Sequence, residues 1–546
     1  MFTFFHCYSP KLWAGYEKNG LLRGKYGVRF PMSIRNTELG DDFNQVAKKG
    51  GALYDLVKKN KLPLYIDRLQ GGDFIYDYNF DEELLVEYER MLGDDFYGFQ
   101  MHEWLSNYHN DVRLRLKELP EDEWTEENIE RCVRAGNNFK WPHIEAMTLT
   151  ELSETGKPKS AEELYANMTA IYKKRMAKYK KLIPCDSFYL MYPFEAECGA
   201  KAIMPEVGAQ IPDMRLQMCF ARGVTRAYGI KLGAYYEPWG GAGRRVTTCM
   251  YNESGKNEWL VENETNPFSS AGKRGGSSRS LQLRIMLYAY LSGAEFISEE
   301  WGGYNTFSDT ECTTLSEYGE TKKRFIEFVE KYPDVGEKLA PIAVVISNDL
   351  LCYTISESEK KLLGYPTRTE QRKALGNLKS GVLGIFSDAT PMKGNRREIK
   401  TLINSKIPDA FDMLNEGDGM ALSKYEYLVD MTGELDFEKK YKKVMTSDEA
   451  KAKISKLLPC RVDGECHWLV NKRADGGYYL AVFNHSGVVR TLRADEHVME
   501  SETKSIVIEL KNGAKLVKLE GDGKLERRDG KYYLTLRGGD FFFGSF

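Results

Sequence analysis

The first 340 residues alternate short strand-like runs with longer helix-like runs, and this alternation limits the fold more than any other feature of the chain. Runs rich in aromatic and β-branched residues, bounded by Gly, Pro or charged turns, read as strands. They lie at Phe2–Ser9, Pro63–Leu69, Phe96–Trp104, Ser187–Glu195, Lys201–Val207, Lys231–Trp239, Glu295–Trp301 and Ile342–Ser347. Between them the apolar period is that of a helix. Met214–Tyr228 places Leu216, Phe220, Val224 and Ala227 on one face, and Ser280–Leu291 does the same with Leu281, Ile285, Tyr288 and Leu291. Lys322–Lys331 carries Phe325, Phe328 and Val329 at that spacing. Eight strands with helices between them predict a (β/α)8 TIM barrel over residues 1–340.

The pattern then changes twice. Residues 341–459 combine a buried-strand run, Ile342-Ala-Val-Val-Ile346, with helical stretches near Thr367–Gly381 and Asp448–Leu458 and a strand at Tyr425–Asp430. That predicts a small α/β layer domain without a Gly-rich phosphate loop. From residue 460 to 546 the period is two. Turns such as Ala474-Asp-Gly-Gly477 and Arg528-Asp-Gly530 separate short strands, which predicts an antiparallel β-sandwich. No internal repeat and no low-complexity linker interrupts the three parts.

Charge and cysteine content narrow the function classes. The 77 basic residues nearly cancel the 80 acidic ones, so neither nucleic acid nor an anionic membrane is the expected partner. No apolar run is long enough to span a bilayer. The first ten residues lack the basic start and cleavage site of a signal peptide, which points to a cytoplasmic protein. Ten cysteines without a Cys-x-x-Cys pair fit neither a disulfide framework nor a zinc knuckle. No cofactor is expected, and homo-oligomerisation is left open.

In a barrel of this kind the active site lies at the C-terminal ends of the strands. Five successive strand ends here carry carboxylates, usually beside an aromatic residue. They are Gln100-Met-His-Glu103-Trp104, Tyr192-Pro-Phe-Glu195-Ala-Glu197, Pro205-Glu206, Tyr235-Tyr-Glu237-Pro-Trp239 and Ser298-Glu299-Glu300-Trp301. Carboxylates are costly to bury without an offsetting charge, so such a set suggests a solvated functional cleft. Glycoside hydrolysis needs this equipment: one carboxylic acid protonates the leaving oxygen, and a second carboxylate attacks the anomeric carbon or activates water. Tyr and Trp, part of a 12% aromatic content, offer faces for sugar rings. Glu103, Trp104, Tyr235, Glu237, Trp239 and Trp301 are the candidate substrate-binding residues. His102-Glu103 with His109 lacks the spacing of His-Glu-x-x-His, so no metal site is expected.

A carboxylate-lined barrel, a small α/β domain opening at Pro341-Ile-Ala-Val-Val-Ile346 and a β-sandwich together resemble the layout of the family 42 glycoside hydrolases, the clan A β-galactosidases. Gly293-Ala-Glu-Phe-Ile-Ser-Glu-Glu300 and Leu315-Ser-Glu-Tyr-Gly-Glu320 also look like barrel sequence of that clan. The resemblance implies a glycosidase acting on a carbohydrate, in the manner of an exo-acting β-galactosidase. It further implies an acid/base after strand four and a nucleophile after strand seven. Carried over, the acid/base is Glu195, or Glu197 or Glu206 if the strand is cut differently, and the nucleophile is Glu299 or Glu300. If Phe296 faces the outer helices, alternation turns Glu299 toward the barrel axis. The family's fourth strand ends in Asn-Glu, where this chain has Phe194-Glu195. Two other classes stay open: a catalytically silent carbohydrate-binding scaffold, and a metal hydrolase or isomerase with carboxylate ligands.

Overall fold

A computed structural model describes the chain except residues 32–42, 68–79, 105–107, 109–111, 113–115, 136–146, 208–213, 238–276, 301, 349, 351–360, 363, 386–389, 392–399, 402–404, 418, 434–440, 442 and 491–495. Eight parallel strands close into a barrel in sequence order: β1 Thr3–Cys7, β2 Lys25–Pro31, β3 Leu64–Asp67, β4 Phe96–His102, β5 Leu182–Asp186, β6 Ala202–Val207, β7 Lys231–Tyr236 and β8 Phe296–Glu299. β1 pairs with both β2 and β8, which completes the ring. Each strand from β1 to β7 leads into the next through a segment that contains helix. The predicted TIM barrel is present.

Its strands are not quite the predicted ones. Lys25–Pro31 does not read as a strand because Gly27, Arg29 and Pro31 interrupt its apolar character, yet it is β2. Gly27 is required there: a Cβ would lie 2.6 Å from the Phe5 ring and 2.8 Å from the Pro63 carbonyl. Ser187–Glu195 is not a strand. The fifth strand ends at Asp186, and Tyr192–Glu197 is a short helix with Pro193 in its first turn, where the missing N–H costs nothing. Ile342–Ile346 lies outside the barrel. From the second predicted strand onward, each barrel strand therefore stands one place later than the sequence suggests.

Ile342–Ile346 instead lies inside a four-stranded parallel sheet, between Phe411–Asn415 and Tyr427–Asp430, with Val444–Met445 at one edge. From Cys460 on, the described strands form antiparallel sheets of four, five and two strands, the last being Val488–Arg490 with Glu496–Val498. One edge of the five-stranded sheet is Glu337–Lys338, which pairs with Asn471–Lys472. Among the described residues no helix is long and apolar enough to cross a membrane.

A buried polar chain ties these parts together. The Arg284 Nε–H donates to His485 Nδ1 at 3.2 Å. His485 Nε2 and His467 Nδ1 are 3.1 Å apart, and His467 Nε2 lies 3.1 Å from Asp409 Oδ2. A single direction of donation satisfies every link if both imidazoles are neutral. Asp409 also accepts from Arg215 at 2.7 Å and from the Tyr288 hydroxyl at 2.5 Å. Burial first, and the Arg215 charge second, push His467 down to about 4. The ring is neutral at physiological pH.

Candidate active site

The barrel axis is filled by side chains from alternate positions on the strands. Phe5, Tyr65, Tyr97, Ile183, Cys185, Ala202, Met204, Tyr235 and Phe296 form one buried cluster. Phe296 therefore points to the axis, not to the outer helices. Period-two alternation then turns Ser298 and Glu300 inward, and the Tyr65 hydroxyl donates to Ser298 Oγ at 2.7 Å across the barrel. The expectation that Glu299 faces the axis fails because its premise about Phe296 fails.

Glu299 is held on the outer side. Its Oε2 lies 2.5 Å from Lys322 Nζ on the helix Glu317–Lys331, and both side chains are buried. Lys322 also donates to Thr306 Oγ1 at 2.6 Å. Glu300, one residue on, faces the mouth of the barrel.

The mouth brings together residues from six strand ends. His102, the last residue of β4, is the centre of a carboxylate group. Its Nε2 is 3.2 Å from Glu206 Oε1 and 3.9 Å from Glu300 Oε1, and its Nδ1 is 3.9 Å from Glu103 Oε2. One ligand atom from each of His102, Glu206 and Glu300 fits within 4.8 Å of the others, and all three residues are buried. Glu206 is fixed from behind: the Ser187 hydroxyl donates to its Oε2 at 2.9 Å, and the Gln217 amide donates to its carbonyl at 3.1 Å. Tyr235 lies beneath, its ring 5.4 Å from the His102 ring.

Across the mouth, the Arg29 guanidinium from β2 pairs with Asp67 from β3 and donates to the Glu299 carbonyl. It lies 5.3 Å from the centre of the Tyr235 ring. Glu237 follows β7 and is 4% exposed. The register places Tyr236 opposite Glu299, so Glu237 and Glu300 stand next to each other on neighbouring strands. Glu103 follows β4 with φ +48°, a left-handed conformation that non-Gly residues adopt at a cost, and its side chain is 42% exposed. It is the solvated carboxylate of the group.

The other expected site residues lie elsewhere. Glu195 is on the Tyr192–Glu197 helix and fully buried. Burial first, and the nearby Asp186 second, hold its carboxyl well above the usual range. Asp186 is itself held high by burial, then by Glu206 and Glu103. Glu197 is exposed at the end of the same helix, where the Tyr228 hydroxyl donates to it. Trp104 is 2% exposed, packed between Tyr172 and Phe194, and offers no open face. Trp239 and Trp301 fall outside the described residues. The sequence reading gave no role to Arg29, Asp67 or Lys322, and set His102 aside for lacking the His-Glu-x-x-His spacing. For His102 a signal existed: it immediately precedes a strand-end glutamate.

No family model matches the chain, and no curated protein matches it. Solved structures do. The catalytic module of a family 98 glycoside hydrolase from Streptococcus pneumoniae TIGR4, in complex with the LewisY pentasaccharide, aligns over 95% of this chain and 98% of its own with 9% identity and a TM-score of 0.42. Alpha-L-fucosidase isoenzyme 2 from Paenibacillus thiaminolyticus aligns over 100% and 99% with 9% identity and a TM-score of 0.39. A beta-galactosidase from the Antarctic haloarchaeon Halorubrum lacusprofundi aligns over 99% and 98% with 9% identity and a TM-score of 0.40. These neighbours are glycoside hydrolases, and at this identity and score the likeness is one of fold alone.

Proposed function

We propose that the chain is a glycoside hydrolase, with Glu103 as acid/base and Glu237 as nucleophile. The observation that carries this reading is the strand count. The resemblance to family 42 implies an acid/base after strand four and a nucleophile after strand seven, and with β2 included those positions are Glu103 and Glu237. The family's Asn-Glu at the fourth strand is met here by His102-Glu103, so the glutamate is kept and a histidine replaces the asparagine. This revises the assignment of Glu195, Glu206, Glu299 and Glu300, which rested on a count one strand short.

The environments suit the roles. In a double displacement Glu103 gives its proton to the leaving oxygen as Glu237 attacks the anomeric carbon, and the glycosidic C–O bond breaks. Water then attacks the glycosyl–Glu237 ester while Glu103 takes the water's proton, which frees the sugar and restores both groups. Glu103 must exchange protons with solvent and is half-exposed. Glu237 must stay clear of bulk water and is buried. Glu206 and Glu300, gathered by His102, then contact the sugar hydroxyls. A terminal β-galactoside is the substrate this layout suggests.

The test is a panel of nitrophenyl glycosides, with the β-galactoside included, against single variants. Glu237→Gln should lose about 10⁴-fold or more in turnover, since no other group forms the covalent intermediate. Glu103→Gln should lose far less on a dinitrophenyl glycoside, whose leaving group needs no proton, than on a methyl glycoside. If both variants hydrolyse the best substrate at wild-type rates, the assignment fails.

One observation favours a second reading. His102, Glu206 and Glu300 present an imidazole and two carboxylates at a spacing that a divalent cation could bridge, as in a barrel metal hydrolase. Hydrolysis that survives exhaustive chelation would dismiss that reading; recovery of activity on adding Mn²⁺ or Zn²⁺ would replace the first with it.

A further inference from the structure

Away from the barrel mouth, a cavity of about 370 Å³ opens between the helix Met214–Tyr228, the segment around Glu337–Lys338 and the Ala421–Glu426 turn. Its charged lining is four cations, Arg226, Lys338, Lys424 and Lys472, and two carboxylates, Glu337 and Glu426, of which Arg226 is paired with Glu337 at 3.5 Å and with Asp412 at 2.7 Å. Both carboxylates are exposed, as are Lys424 and Lys472, whereas Lys338 is 4% exposed.

Lys338 is poorly satisfied for a buried ammonium. It carries three protons, and its one hydrogen bond is a 3.3 Å contact to the adjacent Leu339 carbonyl. The nearest buried carboxylates are taken by other groups. Asp412 receives Arg222 at 2.5 Å, Arg226 at 2.7 Å and the Tyr425 hydroxyl at 2.8 Å, and Asp409 is held by Arg215, Tyr288 and His467. Among the described residues no carboxylate oxygen is within ion-pair distance of Lys338, Lys424 or Lys472. Burial first, and the Arg222 charge second, push the Lys338 ammonium down to about 7, a cost that an anion in the cavity would relieve.

We propose that this cavity binds a small organic dianion, with its charged end against Lys338 and the rim lysines and its remainder along residues 339–341. With Arg226 taken by Asp412 and Glu337, three lysines face Glu426 alone and call for negative charge, and the volume exceeds what a bare inorganic anion fills. The site is independent of the carboxylate mouth, so it stands or falls separately from the glycosidase reading.

Calorimetric titration of the full chain with glucose 6-phosphate, succinate, inorganic phosphate and neutral glucose, at about 150 mM salt to screen non-specific attraction, tests it. At least one of the two organic dianions should bind saturably, and more tightly than inorganic phosphate; which of them does so tells a phosphate monoester from a dicarboxylate. Lys338→Met should weaken that binding by about tenfold or more. Lys424→Ala and Lys472→Ala, on the exposed rim, should each weaken it by about threefold and decide the matter if the buried variant does not fold. The inference is overturned if neither dianion binds below about 10 mM, or if binding is unchanged in all the variants that fold, which would place the ligand in the barrel mouth instead.

Discussion

Replacing Glu299 by Gln should destabilise the barrel, because this strand-end glutamate is paired with Lys322 on the outer side. Glu299 Oε2 and Lys322 Nζ are 2.5 Å apart, with side chains 7% and 3% exposed, so solvent does little to screen the pair. Removing one charge leaves a buried ammonium with Thr306 Oγ1 and an uncharged amide as its polar neighbours. Breaking a buried pair in this way costs about 3–5 kcal/mol. The expected signature is a matching loss of barrel stability in urea, followed by tryptophan fluorescence. Lys322→Met alone should cost a similar amount, because it strands the carboxylate. The double variant Glu299→Gln/Lys322→Met should recover most of either loss, since no unpaired charge remains. Glu300→Gln should alter hydrolysis, because its side chain faces the mouth beside His102. A loss below about 1 kcal/mol for Glu299→Gln, or a double variant no better than the singles, would refute the outward pairing.

Three further outcomes follow from buried groups. His467 is held at about 4, below its ordinary 6.5; the unfolded chain therefore takes up a proton first as pH falls, and stability is lost from about pH 6.5 down to about 4. That loss amounts to about 3 kcal/mol, and urea midpoints measured across this range should flatten in His467→Asn. Glu195 is held well above its ordinary value, so the sign reverses: stability should decline as pH rises above about 4.5. Glu195→Gln should remove that decline and melt higher than wild type at pH 8, and a variant that melts lower there would contradict a neutral, buried carboxyl. Gly27→Ala should destabilise by about 1–3 kcal/mol through overpacking against Phe5 and Pro63, measured by thermal unfolding.

Much of this protein is written in local patterns that no partner needs to complete. The apolar period of Met214–Tyr228 and the buried run Ile342–Ile346 appear as the helix and strand they predict, because each depends on near neighbours in the chain. Carboxylates at the ends of β4, β6, β7 and β8 are equally plain, since strand ends follow from composition and turns. Ring closure decided the rest. β2 contains Gly27 and Arg29 because the Phe5 ring crosses one and the Asp67 carboxylate meets the other, and neither demand is visible within Lys25–Pro31 itself. Without β2 the count slips by one, and the acid/base and nucleophile positions slip with it. Parity was hidden for a similar reason: Phe296 and Ile297 are both apolar and both buried, one against the axis and one against the helices, so only the closed barrel separates Glu299 from Glu300. The gathering of Glu206 and Glu300 around His102 spans nearly 200 residues of chain and exists only because the strands return to one mouth.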